Sequence, residues 1–201
     1  MRISGNRIKT AVGIVALAGL ALSTSALAAP VNCPDITANH MIIDDSLVSS
    51  CLASGTGNLT GENHSDLFLN NGTTGDGYAS AGKSDGDNLL DGDNPFGISF
   101  TQSRVGAETH GTFTFDDSFW DNTISGAIGF QFGTGNRADE WFVFELQRGI
   151  LTGTFEFVNM GGRGGGLSHV NLYRVPEPSG LLMLGLGVIG AGVARRRSKP
   201  V

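Results

Sequence analysis

The chain has 201 residues with 31 glycines, 12 phenylalanines and 2 cysteines, and its 19 acidic and 13 basic residues give a net charge of −6. An acidic protein repels nucleic acid and anionic lipid, so we expect no nucleic acid partner. Its length suits one domain flanked by targeting segments.

The N-terminus predicts a signal peptide over residues 1–28. Basic residues precede an apolar run over 11–22, and small residues follow at Ala26 and Ala28. Signal peptidase accepts small side chains at these two positions, which predicts cleavage before Ala29 and export of the chain. A retained membrane helix is the alternative, but the apolar run is short for a span.

The C-terminus predicts a single membrane helix over residues 179–194, followed by a basic tail over 195–201. The span carries no charge, and the tail opens with Arg195, Arg196 and Arg197. A bilayer core needs about 20 apolar residues, so this short span suits a temporary anchor. The arginines are expected to act as a stop on the cytoplasmic side.

The end of the chain resembles a known sorting signal. The order of a Pro176-Glu177-Pro178 motif, an apolar span and an arginine cluster over 175–201 resembles the PEP-CTERM signal of Gram-negative bacteria. The resemblance implies an exosortase partner, a membrane-embedded cysteine transpeptidase that processes its substrates near the motif. It also implies an inner-membrane-anchored intermediate, then the cell surface or extracellular matrix, with links to exopolysaccharide and biofilm.

The two prolines of this motif also constrain the backbone conformation directly. Pro176 and Pro178 fix φ and remove two backbone donors, and they push Val175 and Glu177 towards extended geometry. The segment is therefore expected to be extended, either as an accessible processing site or as a rigid linker between domain and anchor.

A second resemblance lies upstream of the motif. The segments WFVFELQRGILTGTFEF and GGLSHVNLYRV are similar to the last strands of a recurrent ectodomain that precedes this sorting signal. That resemblance implies no activity.

Residues 29–174 predict an antiparallel β-sandwich, jelly-roll-like in order. Short runs rich in Phe, Val, Ile and Thr alternate with turn residues: DLFLN, FGISFT, GTFTF, TISGAIGFQF, EWFVFEL, LTGTFEF and LSHVNLY. Alternation places Phe113 with Phe115, and Phe155 with Phe157, on one face of their strands. Residues 141–144 are apolar on both faces, which predicts a strand covered on each side.

Cys33 and Cys51 are the only cysteines. In an exported protein such a pair favours a disulfide that would fix the N-terminal stretch. A metal site is the alternative, but it needs more ligands than His40 supplies.

An acidic stretch, SDGDNLLDGDNP, is the candidate metal site, with Asp85, Asp87, Asp91 and Asp93 as oxygen ligands. Calcium binds six to eight oxygens, but the spacing of an EF-hand loop is absent. We expect a pair of turns here, and an irregular calcium loop is the alternative.

Trp120, within DDSFWDN, is the candidate ligand-facing aromatic side chain. Acidic and turn residues surround it, which would suit stacking on a sugar. Packing at the core or its rim is the reading we favour.

Catalytic residues are not indicated, and we expect no enzyme. Ser168 and His169 are neighbours, and neighbours on a strand point to opposite faces, so we expect no hydrogen bond between them. Paired carboxylates that would serve a hydrolase are Asp116 with Asp117 and Glu140 with Glu145.

Between residues 30 and 175 there are eighteen acidic residues against six Lys and Arg, a net charge of −12. Neutral glycans or cations are therefore the expected small partners. The sequence predicts an exported surface or matrix protein with a structural or interaction role linked to exopolysaccharide. The alternative is a calcium-dependent carbohydrate-binding module.

Overall fold

A computed structural model describes residues 29–34, 39–72, 74–75, 77–86, 94–133, 135, 137–160 and 165–177. The signal peptide with Ala26 and Ala28, the span 179–194, Pro178, Arg195–Arg197 and the acidic residues Asp87, Asp91 and Asp93 lie outside these ranges. In the described part of the chain, no helix is long and apolar enough to cross a membrane.

Ten strands and one short 3₁₀ helix make up the described domain. The strands are β1 (Val31–Pro34), β2 (His40–Ile43), β3 (Val48–Thr56), β4 (Ala79–Ser84), β5 (Ser99–Val105), β6 (Glu108–Thr114), β7 (Thr123–Gly133), β8 (Glu140–Leu146), β9 (Thr152–Val158) and β10 (Gly166–Pro176). The 3₁₀ helix covers Asp117–Trp120.

The strands form two five-stranded sheets in which every pairing is antiparallel. Sheet A has the order β1-β2-β9-β6-β5, and sheet B has the order β3-β8-β7-β10-β4. The prediction of a mainly β domain with antiparallel sheets is confirmed. The Gly-rich segment before β10 joins β9 of sheet A to β10 of sheet B.

Phenylalanines fill the space between the two sheets. Phe113 and Phe155 come from sheet A, Phe130 and Phe144 come from sheet B, and all four belong to one buried cluster. Their rings meet at centroid distances of 5.1 to 6.4 Å, the range of favourable aromatic pairs. The two sheets are thus the layers of a sandwich around a single aromatic core, as the alternation predicted.

Sheet B is covered on its outer face as well. Trp141 and Val143 of β8 join Leu59, Phe68 and Tyr173 in a second buried cluster. Phe142 and Phe144, which alternate with them, belong to the core between the sheets. The prediction that residues 141–144 are covered on both sides is confirmed, and the cover is the segment that links β3 to β4.

The segment DLFLN, which we expected to be a strand, forms turns within that cover. The Asp66 carboxylate accepts hydrogen bonds from the backbone N–H groups of Phe68 and Leu69 at 2.9 and 3.1 Å. It also accepts from Gly61 N–H and from the Tyr173 hydroxyl. An Asp side chain that bonds its own following backbone favours a turn over a strand ladder.

Cys33 of β1 and Cys51 of β3 form the predicted disulfide, with their Cα atoms 5.3 Å apart. Because β1 lies at the edge of sheet A and β3 at the edge of sheet B, the bond links the two layers.

Candidate functional site

The outer face of sheet A carries a shallow depression of about 600 Å³, lined by residues of β2, β5, β6 and β9, by Pro30 before β1 and by Asp44 after β2. In the described residues no other segment covers this face as the β3–β4 link covers sheet B. A depression on an uncovered sheet face is accessible to a long ligand.

Hydroxyl side chains line the floor of this depression in register. Thr101 of β5 lies opposite Thr112 of β6, and Thr112 lies opposite Thr154 of β9. The hydroxyl oxygens of Thr101 and Thr112 are 2.7 Å apart, within hydrogen-bond distance. Because neighbouring strands lie about 4.8 Å apart, the three threonines present a row of groups that both donate and accept.

The next row carries charge. His110 lies opposite Glu156, and its Nε2 atom is 3.2 Å from the Glu108 carboxylate while its Nδ1 atom is 4.0 Å from that of Glu156. Asp44 adds a further carboxylate, and none of the described residues that line the depression is Lys or Arg. The depression therefore offers acceptors to hydroxyl-rich or cationic ligands and repels anionic ones.

Trp120 packs at the rim of the core and does not line the depression. Its ring is half-buried and meets the Phe119 ring edge-on at 5.0 Å. The indole N–H donates to the backbone carbonyl of Ile150 at 2.8 Å, and the Arg148 guanidinium lies 6.0 Å from the ring. This arrangement fits the packing role that the sequence favoured over sugar stacking.

Ser168 and His169 contact each other, which corrects the expectation that they could not. The Ser168 hydroxyl is 3.4 Å from His169 Nδ1. The pairing of β10 with β7 skips Ser168, since Leu167 lies opposite Phe132 and His169 lies opposite Gln131. Such a β-bulge breaks the alternation of faces on which the expectation rested.

The tautomer of His169 follows from its other nitrogen. Nε2 lies 2.6 Å from the backbone carbonyl of Leu59, which only accepts, so Nε2 carries the proton. Desolvation of the buried ring, with the Lys83 charge in support, lowers the pKa of His169, and Asp85 opposes the shift. Neutral His169 therefore turns the lone pair of Nδ1 towards Ser168.

Asp85, the one described member of the acidic candidate site, is engaged by a cation. Its carboxylate forms an ion pair with the Lys83 ammonium at 3.0 Å and lies 3.8 Å from His169 Nδ1. No cluster of three or more His, Cys, Asp or Glu side chains suited to a metal occurs in the described ranges.

Of the two carboxylate pairs considered for hydrolysis, Glu140 and Glu145 lie far apart. Glu140 and Glu145 occupy opposite ends of β8, about 16 Å apart along a strand. Glu140 is buried and accepts from Asn39, whereas Glu145 accepts from Ser49 and Ser125. Asp116 and Asp117 begin the 3₁₀ helix.

The C-terminal end of the domain reaches into the predicted sorting motif. β10 extends to Pro176, which lies opposite Thr123 of β7. The backbone N–H of Glu177 then donates to the carbonyl of Asn122 at 2.9 Å. The first two residues of the motif are thus attached to the domain, although both are exposed to solvent.

Comparison with protein-family models matches residues 174–198 to the PEP-CTERM protein-sorting motif. The chain carries a PEP-CTERM sorting motif. Searches of curated proteins and of solved structures found no match.

The PEP-CTERM motif indicates a protein that an exosortase sorts to the cell surface. It also implies export and a membrane-anchored stage in a Gram-negative bacterium. The match begins at Arg174, within β10, so the strand and the PEP-CTERM motif share residues 174–176.

Sequence reasoning identified the motif but missed the depression and the junction. The alternation of Thr with Phe in GTFTF and TGTFEF marks one polar face on β6 and β9. It does not show that these faces adjoin, because β6 and β9 are separated by two strands of the other sheet.

Proposed function

We propose that this chain is an exported surface or matrix protein whose domain binds neutral extracellular polysaccharide through the outer depression of sheet A. Exosortase processing delivers the domain, and the domain holds the polymer. The role is therefore one of interaction rather than catalysis.

The row of Thr101, Thr112 and Thr154 carries this proposal. Glycan hydroxyls need partners that both donate and accept hydrogen bonds. A row of threonine hydroxyls across three strands can bond successive sugars of a polymer that lies along this face. The neighbouring carboxylates of Asp44 and Glu156 add acceptors. Together with the net charge of the mature region, they favour neutral over anionic polymers.

Replacing Thr112 and Thr154 together by Val tests the site. Val keeps the β-branched shape and removes only the hydroxyls, so the domain should stay folded. We expect about a 30-fold loss of affinity for the polysaccharide purified from the host, since each of the two hydrogen bonds contributes about 1 kcal/mol. Affinity electrophoresis in gels that contain the polymer measures the effect.

Thr114→Val is the matched control. Thr114 lies on the same strand and is exposed like Thr112, but it does not line the depression. This variant should bind as the parent does. Equal binding by all three proteins, or no binding by the parent, would rule out the proposed site.

A further inference from the structure

The junction between the domain and the sorting motif has a feature that the motif alone does not require. Of the three residues Pro176, Glu177 and Pro178, only Glu177 has a backbone N–H, because proline lacks one. The domain binds that single donor through the carbonyl of Asn122. An enzyme that grips an extended peptide relies on main-chain hydrogen bonds, and here the one donor is already engaged.

The backbone around the acceptor, Asn122, is fixed by the contacts of its neighbour Thr123. Thr123 is buried, its hydroxyl donates to the carbonyl of Phe119, and its own carbonyl accepts from Arg148 at 2.7 Å. Asn122 has φ of 58°, and among the described residues it is the one non-glycine with a positive φ. Asn tolerates this left-handed conformation better than most residues.

Beyond Arg174, the end of β10 pairs with one neighbouring strand, β7, and no longer with β4. On the β4 side, the pairing of β10 ends at Arg174 opposite Ala79. On the β7 side, the register shifts between Val175, which lies opposite Ser125, and Pro176, which lies opposite Thr123. The skipped residue, Ile124, is half-exposed. The end of β10 is therefore the part of the strand that opens at the lowest cost.

We propose that Asn122 and Thr123 act as a latch on Pro176 and Glu177, and that opening of this latch precedes processing of the sorting motif. Closed, the latch keeps the Glu177 N–H from the enzyme and leaves no free linker between the sheet and the motif. Open, it frees the donor and gives residues 175–177 a reach of about 10 Å. This inference rests on the proposed processing by an exosortase.

Substitution of Asn122 tests the latch in the full-length chain. A β-branched side chain disfavours the left-handed conformation, so Asn122→Val should displace the carbonyl, whereas Asn122→Gly keeps it in place. We expect the Glu177 amide to exchange hydrogen faster in the Val variant, and processing in the host to be about two- to tenfold faster. The Gly variant should behave as the parent does.

A second variant reverses the effect. Ser125 and Val175 are cross-strand partners, and antiparallel partners lie close enough for a disulfide. Ser125→Cys with Val175→Cys should slow processing when oxidised and restore it when this bond is reduced. The comparison of oxidised and reduced forms removes any effect of the substitutions themselves, and the parent with and without reductant controls for Cys33–Cys51.

The experiments distinguish failure of the latch proposal from failure of the proposed sorting. If the parent is processed and all variants are processed at the parental rate, the latch is wrong and the sorting stands. If the parent is never processed in a host that has an exosortase, the proposed sorting is wrong, and the role of the latch in it is wrong as well. Amide exchange of Glu177 and the melting temperature are measured without the enzyme, so a Val variant that fails to fold is recognised and the disulfide variant decides.

Discussion

At the scale of single residues, burial controls the chemistry of His169. Its ring is almost fully buried, and its Nε2–H donates to the Leu59 carbonyl beside the Asn171 amide, which donates to the same oxygen. The link from β3 to β4 is thereby attached to β10 through neutral hydrogen bonds. Protonation of the ring would destabilise the folded state, because a buried imidazolium loses its hydration.

The lowered pKa of His169 predicts that the free energy of unfolding depends on pH. The pKa of His169 is lower in the folded state than its unfolded value of about 6.5, so its contribution to stability is fully present above pH 6.5 and is lost as the pH falls from there through the folded-state pKa. His169→Gln keeps an N–H donor but does not titrate. We expect the parent to lose more unfolding free energy than this variant between pH 7.5 and pH 5, as measured by urea titration.

His64, which is exposed, supplies the control. His64→Gln makes the same chemical substitution at a solvent-exposed position. If His169→Gln and the parent show parallel pH dependence, the buried neutral imidazole is not what links stability to pH.

At the scale of the elements, the β3–β4 link acts as a third layer on sheet B. Gly129 of β7 makes this packing possible, since a Cβ there would lie 2.9 Å from the Tyr173 ring and 3.0 Å from Leu59. Phe68 of the link meets the Tyr173 ring at 4.9 Å. The link therefore closes a core that the strands alone would leave open.

Neighbouring residues of the link test this layer. Phe68 is fully buried, whereas Leu67 is 39% exposed. Phe68→Ala should lower the free energy of unfolding by about 3 to 5 kcal/mol, because it removes transfer free energy and leaves a cavity. Leu67→Ala should cost less than about 1 kcal/mol. Similar costs for both in urea unfolding would show that the link does not bury a core.

The sequence predicted the elements unevenly, for physical reasons. EWFVFEL coincides with β8 because its residues are apolar on both faces and strongly β-forming. β3, VSSCLASGT, and β4, ASAGKS, are edge strands of small residues whose pattern resembles a loop. The DLFLN run has the composition of a strand, but it forms turns because the Asp66 side chain binds the backbone N–H groups that follow it.

The candidate site was predictable only in part, and for a related reason. A linear motif such as Pro-Glu-Pro is visible in the chain, and so is a cysteine pair. The depression and the latch depend on which strands become neighbours, as with Asn122 and Glu177, which meet across 55 positions of sequence. The bulge at Ser168 depends on pairing with β7 in the same way.

At the scale of the whole molecule, the parts agree with an exported protein. The disulfide between β1 and β3 fits an oxidising compartment. The domain is acidic, and the outer face of sheet A, which no other described segment covers, is rich in hydroxyl groups. Its last strand shares residues 174–176 with the PEP-CTERM motif.

The intact mass of the mature protein, recovered from its own host and from separate membrane, surface and medium fractions, tests this account most directly. We predict a chain that begins at Ala29 and ends near Pro176 to Ser179, with or without an added group, in the surface or medium fraction. A mass that retains Arg195 to Val201 in the membrane fraction would contradict the account and make the C-terminal tail a permanent anchor.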